Sequence, residues 1–264
     1  MSHCIRFPGG HGMIPIVRRG EMGLNLVSFS LLFLEPGESF SEDTGEDETA
    51  LVILGGSCDA SAGENRWENL GARADVFDGA ATCVYVPRES NYGVTARDGV
   101  EIAVCRTAAR RNSAPHLVRP EHVPVIPRGR DNWSRTVHDV VDARVDADRM
   151  LVGETFSPPG NWSSSPPHRH EKDDLPRETR HEEIYYFRVR PRQGFGIIRL
   201  YNDDRSLDET ITVGHNDTVV ITGGYHPTVA GPGYSLYYLW VLAGKERRVV
   251  TRDDPNHAWL KEKG

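Results

Sequence analysis

The chain has 264 residues and is 38% hydrophobic, with a formal net charge of −7. That length accommodates one large or two ordinary domains with a substantial core. The acidic balance argues against nucleic-acid binding, and no apolar run approaches the roughly 20 residues that span a bilayer.

Taken in chain order, the segments that read as strands are Leu26–Leu34, Thr49–Leu54, Thr82–Val86, Glu101–Cys105, Met150–Phe156, Ile184–Val189, Gly196–Tyr201, Thr218–Ile221 and Leu236–Leu242. All are short, rich in β-branched and aromatic residues, and separated by Gly, Pro, Asn and Asp. No segment sustains a helical period, so the fold class expected is all-β, built of sandwiches or barrels. The opening Met-Ser-His-Cys-Ile-Arg-Phe lacks a charged-then-apolar leader, which makes the cytoplasm the expected location. Cys4, Cys58, Cys83 and Cys105 have no metal or redox spacing and read as reduced, small apolar residues.

Two halves of the chain follow one plan. Pro36-Gly37-Glu38-Ser39 aligns with Pro159-Gly160-Asn161-Trp162, and Glu46–Val52 aligns with His181–Phe187 to within one residue. Thr82–Pro87 followed by Val94-Thr95-Ala96 aligns with Thr218–Gly223 followed by Thr228-Val229-Ala230. This register sets Tyr92 opposite His226, and the first half has no histidine between Gly37 and Glu48. The expected organisation is a first barrel at 1–115, a proline-punctuated joining stretch at 116–148, and a second barrel at 149–264. The charged tail from Lys245 is expected either to be poorly ordered or to lie across a barrel.

The second half carries the chemistry. His168 and His170 are two apart, so on a strand both rings point to one face. A carboxylate follows at Glu182 or Glu183, only one of which shares that face, and His226 comes after the Gly223-Gly224 turn. Three imidazoles and a carboxylate without a thiolate suit one divalent ion, such as zinc, manganese, iron or nickel. His181 and His215 read as surface residues, with His181 the better candidate for a pocket mouth. Lys172, Arg188, Arg199 and Arg205 are cations able to hold a carboxylate, and Arg199 on its strand is the first choice among them.

Longer motifs surround these residues. They include Gly160-Asn161-Trp162-Ser163-Ser164, Pro166-Pro167-His168-Arg169-His170, Asp173-Asp174-Leu175-Pro176 and Glu182-Glu183-Ile184-Tyr185-Tyr186. Further along are Tyr201–Thr210, Gly224-Tyr225-His226-Pro227 and Pro232–Leu239, while Gly129-Arg130-Asp131-Asn132 and the strand from Glu48 to Gly56 fit more loosely. This set resembles the 5-deoxy-glucuronate isomerases of inositol catabolism, within the cupin superfamily. The related 4-deoxy-threo-hexosulose-uronate ketol-isomerases share the metal pattern but have a shorter gap between the histidine pair and the glutamate.

The resemblance implies a bicupin of two jelly-roll-like barrels, the first without metal ligands. It selects Glu183 over Glu182 beside His168, His170 and His226, and it leaves a coordination position open for sugar oxygens. The implied reaction is aldose–ketose isomerisation of a small sugar acid, 5-deoxy-D-glucuronate to 5-deoxy-D-fructuronate, through an enediol. Glu183 and Tyr225 are then candidates to move the proton, and Arg199, Lys172 and Arg205 to hold the substrate. A metal cupin dioxygenase and a non-catalytic sugar-binding bicupin are the competing classes. No membrane or nucleic-acid partner is expected, and a homo-oligomer is compatible with the sequence.

Overall fold

The computed structural model describes residues 2–261 and contains strands and short 3-10 turns, with no α-helix among them. The chain divides into two compact units. Within the described residues one unit comprises 2–7, 125–137 and 154–261, and the other 8–124 and 138–153.

The amino-terminal unit is organised around an eight-stranded sheet in which Asp47–Ala62 and Asn91–Ala108 are the long central strands. Leu51, Ile53, Val84, Val86, Val94, Ile102 and Val104 alternate inward along their strands and form its core, with Tyr92 among them. Each such side chain contributes on the order of 1.5–3 kcal/mol on burial. Glu48 is fully buried in this unit and accepts from the Tyr85 hydroxyl at 2.8 Å, the Thr107 hydroxyl at 2.9 Å and the backbone N–H groups of Asp148, Arg149 and Met150 at 2.6–2.8 Å. One carboxylate thus satisfies five donors, which removes the cost of burying its charge.

In the other unit, His181–Arg190 lies between Thr218–Ile221 and Ser235–Gly244 in a seven-stranded antiparallel arrangement. A four-stranded sheet contains Trp162–Ser163, Thr228–Ala230, Gly196–Tyr201 and Asp208–Val213. Tyr185, Phe187, Val189, Val219, Ile221, Ile198, Leu200 and Ile211 make the core of this unit.

The two-copy plan is visible in the pairing registers. Ser39 pairs with Thr95 and Trp162 with Val229, as the sequence alignment requires. Inward parity refines one assignment. Thr49 shares a face with the core residues Leu51 and Ile53, as Glu183 does with Tyr185 and Phe187, so Thr49, not Glu48, matches Glu183 in inward parity. Glu48 corresponds to Glu182, which is within the one-residue tolerance of the alignment.

Two segments differ from expectation, and the tail takes one of the two forms expected of it. Cys4–Ile5 pairs with Thr218–Val219 and therefore belongs with the second half of the chain. The stretch 116–148, read as a joining segment, supplies strands and is split between the units. The tail crosses its own unit: Arg252–Asp253 pairs with His168–Arg169, and residues 262–264 lie outside those described. All four cysteines are free, and Cys58, Cys83 and Cys105 are buried. No helix among the described residues is long and apolar enough to cross a membrane.

Candidate metal centre

Strand alternation brings Glu183 and Tyr185 to the same face of His181–Arg190, towards the unit's core. The His168–Arg169 strand carries one histidine of the pair and His170 follows it directly. His226 comes from the turn after Ile221, where Gly224 has a positive φ of 81° and a Cβ would lie 2.8 Å from the Tyr201 carbonyl oxygen. Only glycine fits there, and it delivers Tyr225 and His226 to opposite sides of the segment.

The ligand atoms of His170, Glu183 and His226 lie within 4.8 Å of one another, and all three residues are buried. His168 lies beside this trio: its ring centroid is 4.8 Å from that of His226, against 5.1 Å between His170 and His226, and 6.4 Å from that of His170. It lines a small cavity of about 150 Å³ with Glu183, Tyr185, Tyr238, Ser164 and Arg135.

Hydrogen bonds decide which imidazole nitrogens are free. His170 Nδ1 is 3.0 Å from the His181 carbonyl and His226 Nδ1 is 3.1 Å from the Gly224 carbonyl. A carbonyl only accepts, so both Nδ1 atoms carry the proton and both Nε2 atoms present lone pairs. Those lone pairs converge on Glu183 Oε2, at 3.0 Å from His170 and 3.4 Å from His226. His226 Nε2 is buried without a hydrogen-bond partner.

Acceptors gathered without a donor fit a cation, and a carbonyl that accepts from the other ring nitrogen is the usual way a metal-binding imidazole is oriented. Burial, with the neighbouring His170, lowers the His168 pKa to about 3. Burial, with His168, lowers that of His226 to about 3 as well, so both rings stay neutral and able to donate a lone pair. At His170 burial opposes protonation, but the hydrogen bond and charge of Glu183 outweigh it and raise the pKa.

Arg169, between the two histidines, points the other way and is 2% exposed. It reaches Asp203 at 2.5 Å, Glu171 at 3.3 Å and Glu178 at 3.4 Å, and stacks over the Tyr225 ring at 5.2 Å. Glu171 in turn accepts from the Gly224 N–H at 2.7 Å, while Glu178 accepts from the N–H groups of Glu171 and Lys172. This ionic cluster fastens the histidine pair to the segment bearing His226. Asp203, readable from sequence only as part of a charged turn, is a member of it.

Several sequence-derived candidates fall elsewhere. The Tyr225 hydroxyl donates to Asp203 at 2.9 Å, inside the Arg169 cluster, and does not line the cavity. Arg199 forms a two-pronged pair with Asp208 at 2.8 Å and stacks on Tyr201, as does Arg205. Lys172 is exposed and near Glu171 at 3.8 Å. None of these three cations is in the cavity, since each is held by the surface charges of its own turn or strand. Glu182 and His181, expected at the surface, are both buried, and His181 Nε2 donates to the Glu246 carbonyl at 2.9 Å. Sequence reasoning missed Arg135 and Ser164; Ser164, like Tyr238, lies inside one of the motifs above, whereas Arg135 has no local signal.

Comparison with known proteins adds the family. The model of the KduI/IolB family matches residues 6–260. A 5-deoxy-glucuronate isomerase of Geobacillus kaustophilus is 41% identical, covering 97% of this chain and 93% of its own. That of Bacillus subtilis is 35% identical over the full length of both. The crystal structure of an IolB-like protein from Salmonella typhimurium superposes with a TM-score of 0.95 at 34% identity, covering 98% of each chain. An oxalate decarboxylase of Lactobacillus farciminis has a TM-score of 0.69 at 13% identity, which shows a shared bicupin fold and no more. The all-β bicupin architecture expected from the sequence is therefore present, and the chain belongs to the KduI/IolB family.

Proposed function

We propose that this chain is a 5-deoxy-D-glucuronate isomerase, converting the aldose into 5-deoxy-D-fructuronate by an internal shift of hydrogen between C2 and C1. The full-length identity to isomerases of that name supports the substrate, and the converging lone pairs of His170 and His226 on Glu183 support the chemistry. One divalent ion, held by His168, His170, Glu183 and His226, would act as a Lewis acid that stabilises negative charge on the sugar oxygen as the enediol forms. His168 stands in the cavity wall beside the other three, its ring centroid 4.8 Å from that of His226.

The chain's own residues then have definite tasks. Glu183 is the carboxylate in the cavity wall and the nearest group able to accept a carbon-bound proton and return it to the adjacent carbon. The Tyr185 hydroxyl, 3.0 Å from Ser164 Oγ and stacked on Tyr238, presents a fixed hydrogen-bonding edge to a sugar hydroxyl. Trp240, Leu242 and Val137 supply an apolar wall that limits water around the reacting carbons.

Purified protein incubated with 5-deoxy-D-glucuronate under anaerobic conditions should form the ketose, detected by carbon NMR. Chelation should abolish the conversion and a divalent ion should restore it. A requirement for oxygen, or conversion undiminished by complete metal removal, would refute this reading and in the first case favour a dioxygenase.

A further inference from the structure

Arg135 stands in the wall of the cavity with His168, Glu183, Tyr185 and Tyr238. Its Nη1 donates to the Trp133 carbonyl at 3.2 Å, and its guanidinium stacks on the Trp133 ring at 5.7 Å. No carboxylate pairs with it among the described residues, whereas other buried or half-buried guanidiniums have acidic partners. Arg169 has three acidic partners, Arg106 has Glu42, and Arg149 has Asp148. Arg128 lies near enough to add positive potential.

An arginine fork has five N–H donors in a plane, and the hydrogen bond to Trp133 engages one of its nitrogens. Burial lowers its pKa, which marks a desolvated charge without a compensating anion. Such a cation is costly to hold beside a site unless an anionic ligand completes it.

We infer that Arg135 is the specificity-determining anchor for the carboxylate of a uronate ligand, binding it through two parallel N–H···O bonds. This inference rests on the isomerase reading for the identity of the substrate, but its chemistry needs only a small monocarboxylate sugar. Anchored at Arg135, the sugar acid is oriented with its carboxylate on one wall and its other end free to reach Glu183 and the histidines. Trp133 holds the guanidinium plane from the other side, through both the carbonyl contact and the ring. Neutral hexoses lack the anion and leave the cation unsatisfied, so the same contact rejects them.

Calorimetric titration of the metal-loaded protein with D-glucuronate, which reads binding without turnover, separates this inference from the isomerase assignment. Arg135→Met should weaken D-glucuronate binding by about 100-fold and raise KM for 5-deoxy-D-glucuronate while metal content stays at the wild-type level. Arg135→Lys, which keeps the charge and loses the fork, should fall between, and serves if the Met variant does not fold. Unchanged D-glucuronate affinity in either folded variant overturns the anchor. A wild type that binds D-glucuronate through Arg135 but fails to isomerise 5-deoxy-D-glucuronate overturns the reaction and leaves the anchor standing.

Discussion

At the scale of single residues, the site is legible where spacing alone carries the geometry. His168 and His170 are two apart, and the resemblance singles out Glu183 with them. What spacing cannot show is the set of partners behind each ligand. Glu182 and Glu183 look alike in sequence and both are buried, yet only Glu183 lies within hydrogen-bond reach of His170. Glu183→Gln should therefore cut metal affinity by more than the roughly 10–100-fold typical of losing an outer-shell partner, measured by competition with a chelating dye. Glu182→Gln should leave metal affinity within a few-fold of wild type and register as a loss of stability on denaturation.

Arg169 could be read only as the residue between two ligands, and its role depends on Asp203, which is 34 positions away. The Arg169 and Tyr225 hydrogen bonds hold the Asp203 carboxyl below its ordinary pKa of 3.8. For a carboxylate depressed in the folded state, the stabilisation is complete above the unfolded value and is lost as pH falls through the folded one. Asp203→Asn should accordingly flatten the acid limb of the stability–pH profile below about pH 4, as followed by thermal unfolding. A profile parallel to wild type would show that the pair contributes nothing to holding the histidine segment.

At the scale of elements, the strands legible in sequence are those whose two faces are buried and whose residues are β-branched or aromatic throughout. Thr218–Ile221 and His181–Arg190 are of this kind. Ser39–Asp43, Asp208–Val213 and Arg135–Val141 were missed. The first two alternate charged or hydroxyl side chains with few apolar ones, as edge positions with a solvated face do. Arg135–Val141 follows a run of prolines and charges that reads as a connector, which is why Arg135 carried no signal.

Glu48 shows how a repeated motif carries a different role in each half. It lies in the strand that resembles the ligand-bearing one, but its carboxylate ties three backbone N–H groups of 148–150 to Tyr85 and Thr107. Glu48→Ala should destabilise the amino-terminal unit by on the order of 3 kcal/mol or more, read from urea unfolding, because buried donors are left unpaired. Metal content of the folded fraction should not change.

At the scale of the whole molecule, the repeat explains why the candidate metal-binding group found among the described residues lies in the second half. The position of His226 is taken in the first repeat by Tyr92, whose hydroxyl donates to Glu42 at 2.9 Å and accepts from Arg106 at 3.0 Å. The position of Glu183 is taken by Thr49, and no histidine occupies the place of the 168–170 pair. Hydrocarbon from Val84, Val86, Val94 and Phe40 fills the space around Tyr92. A guanidinium, a phenol and a carboxylate thus satisfy one another where the second repeat gathers acceptors, and Tyr92→Ala should affect stability without altering metal content.

The most direct test of this account is a titration of the metal-stripped protein with manganese or zinc, following bound metal and isomerisation of 5-deoxy-D-glucuronate in the same samples. The account predicts that activity rises from baseline and saturates at one ion per chain, and that His226→Ala abolishes both the stoichiometric binding and the activity. Saturation at two ions per chain, or full activity in the stripped protein, would contradict it.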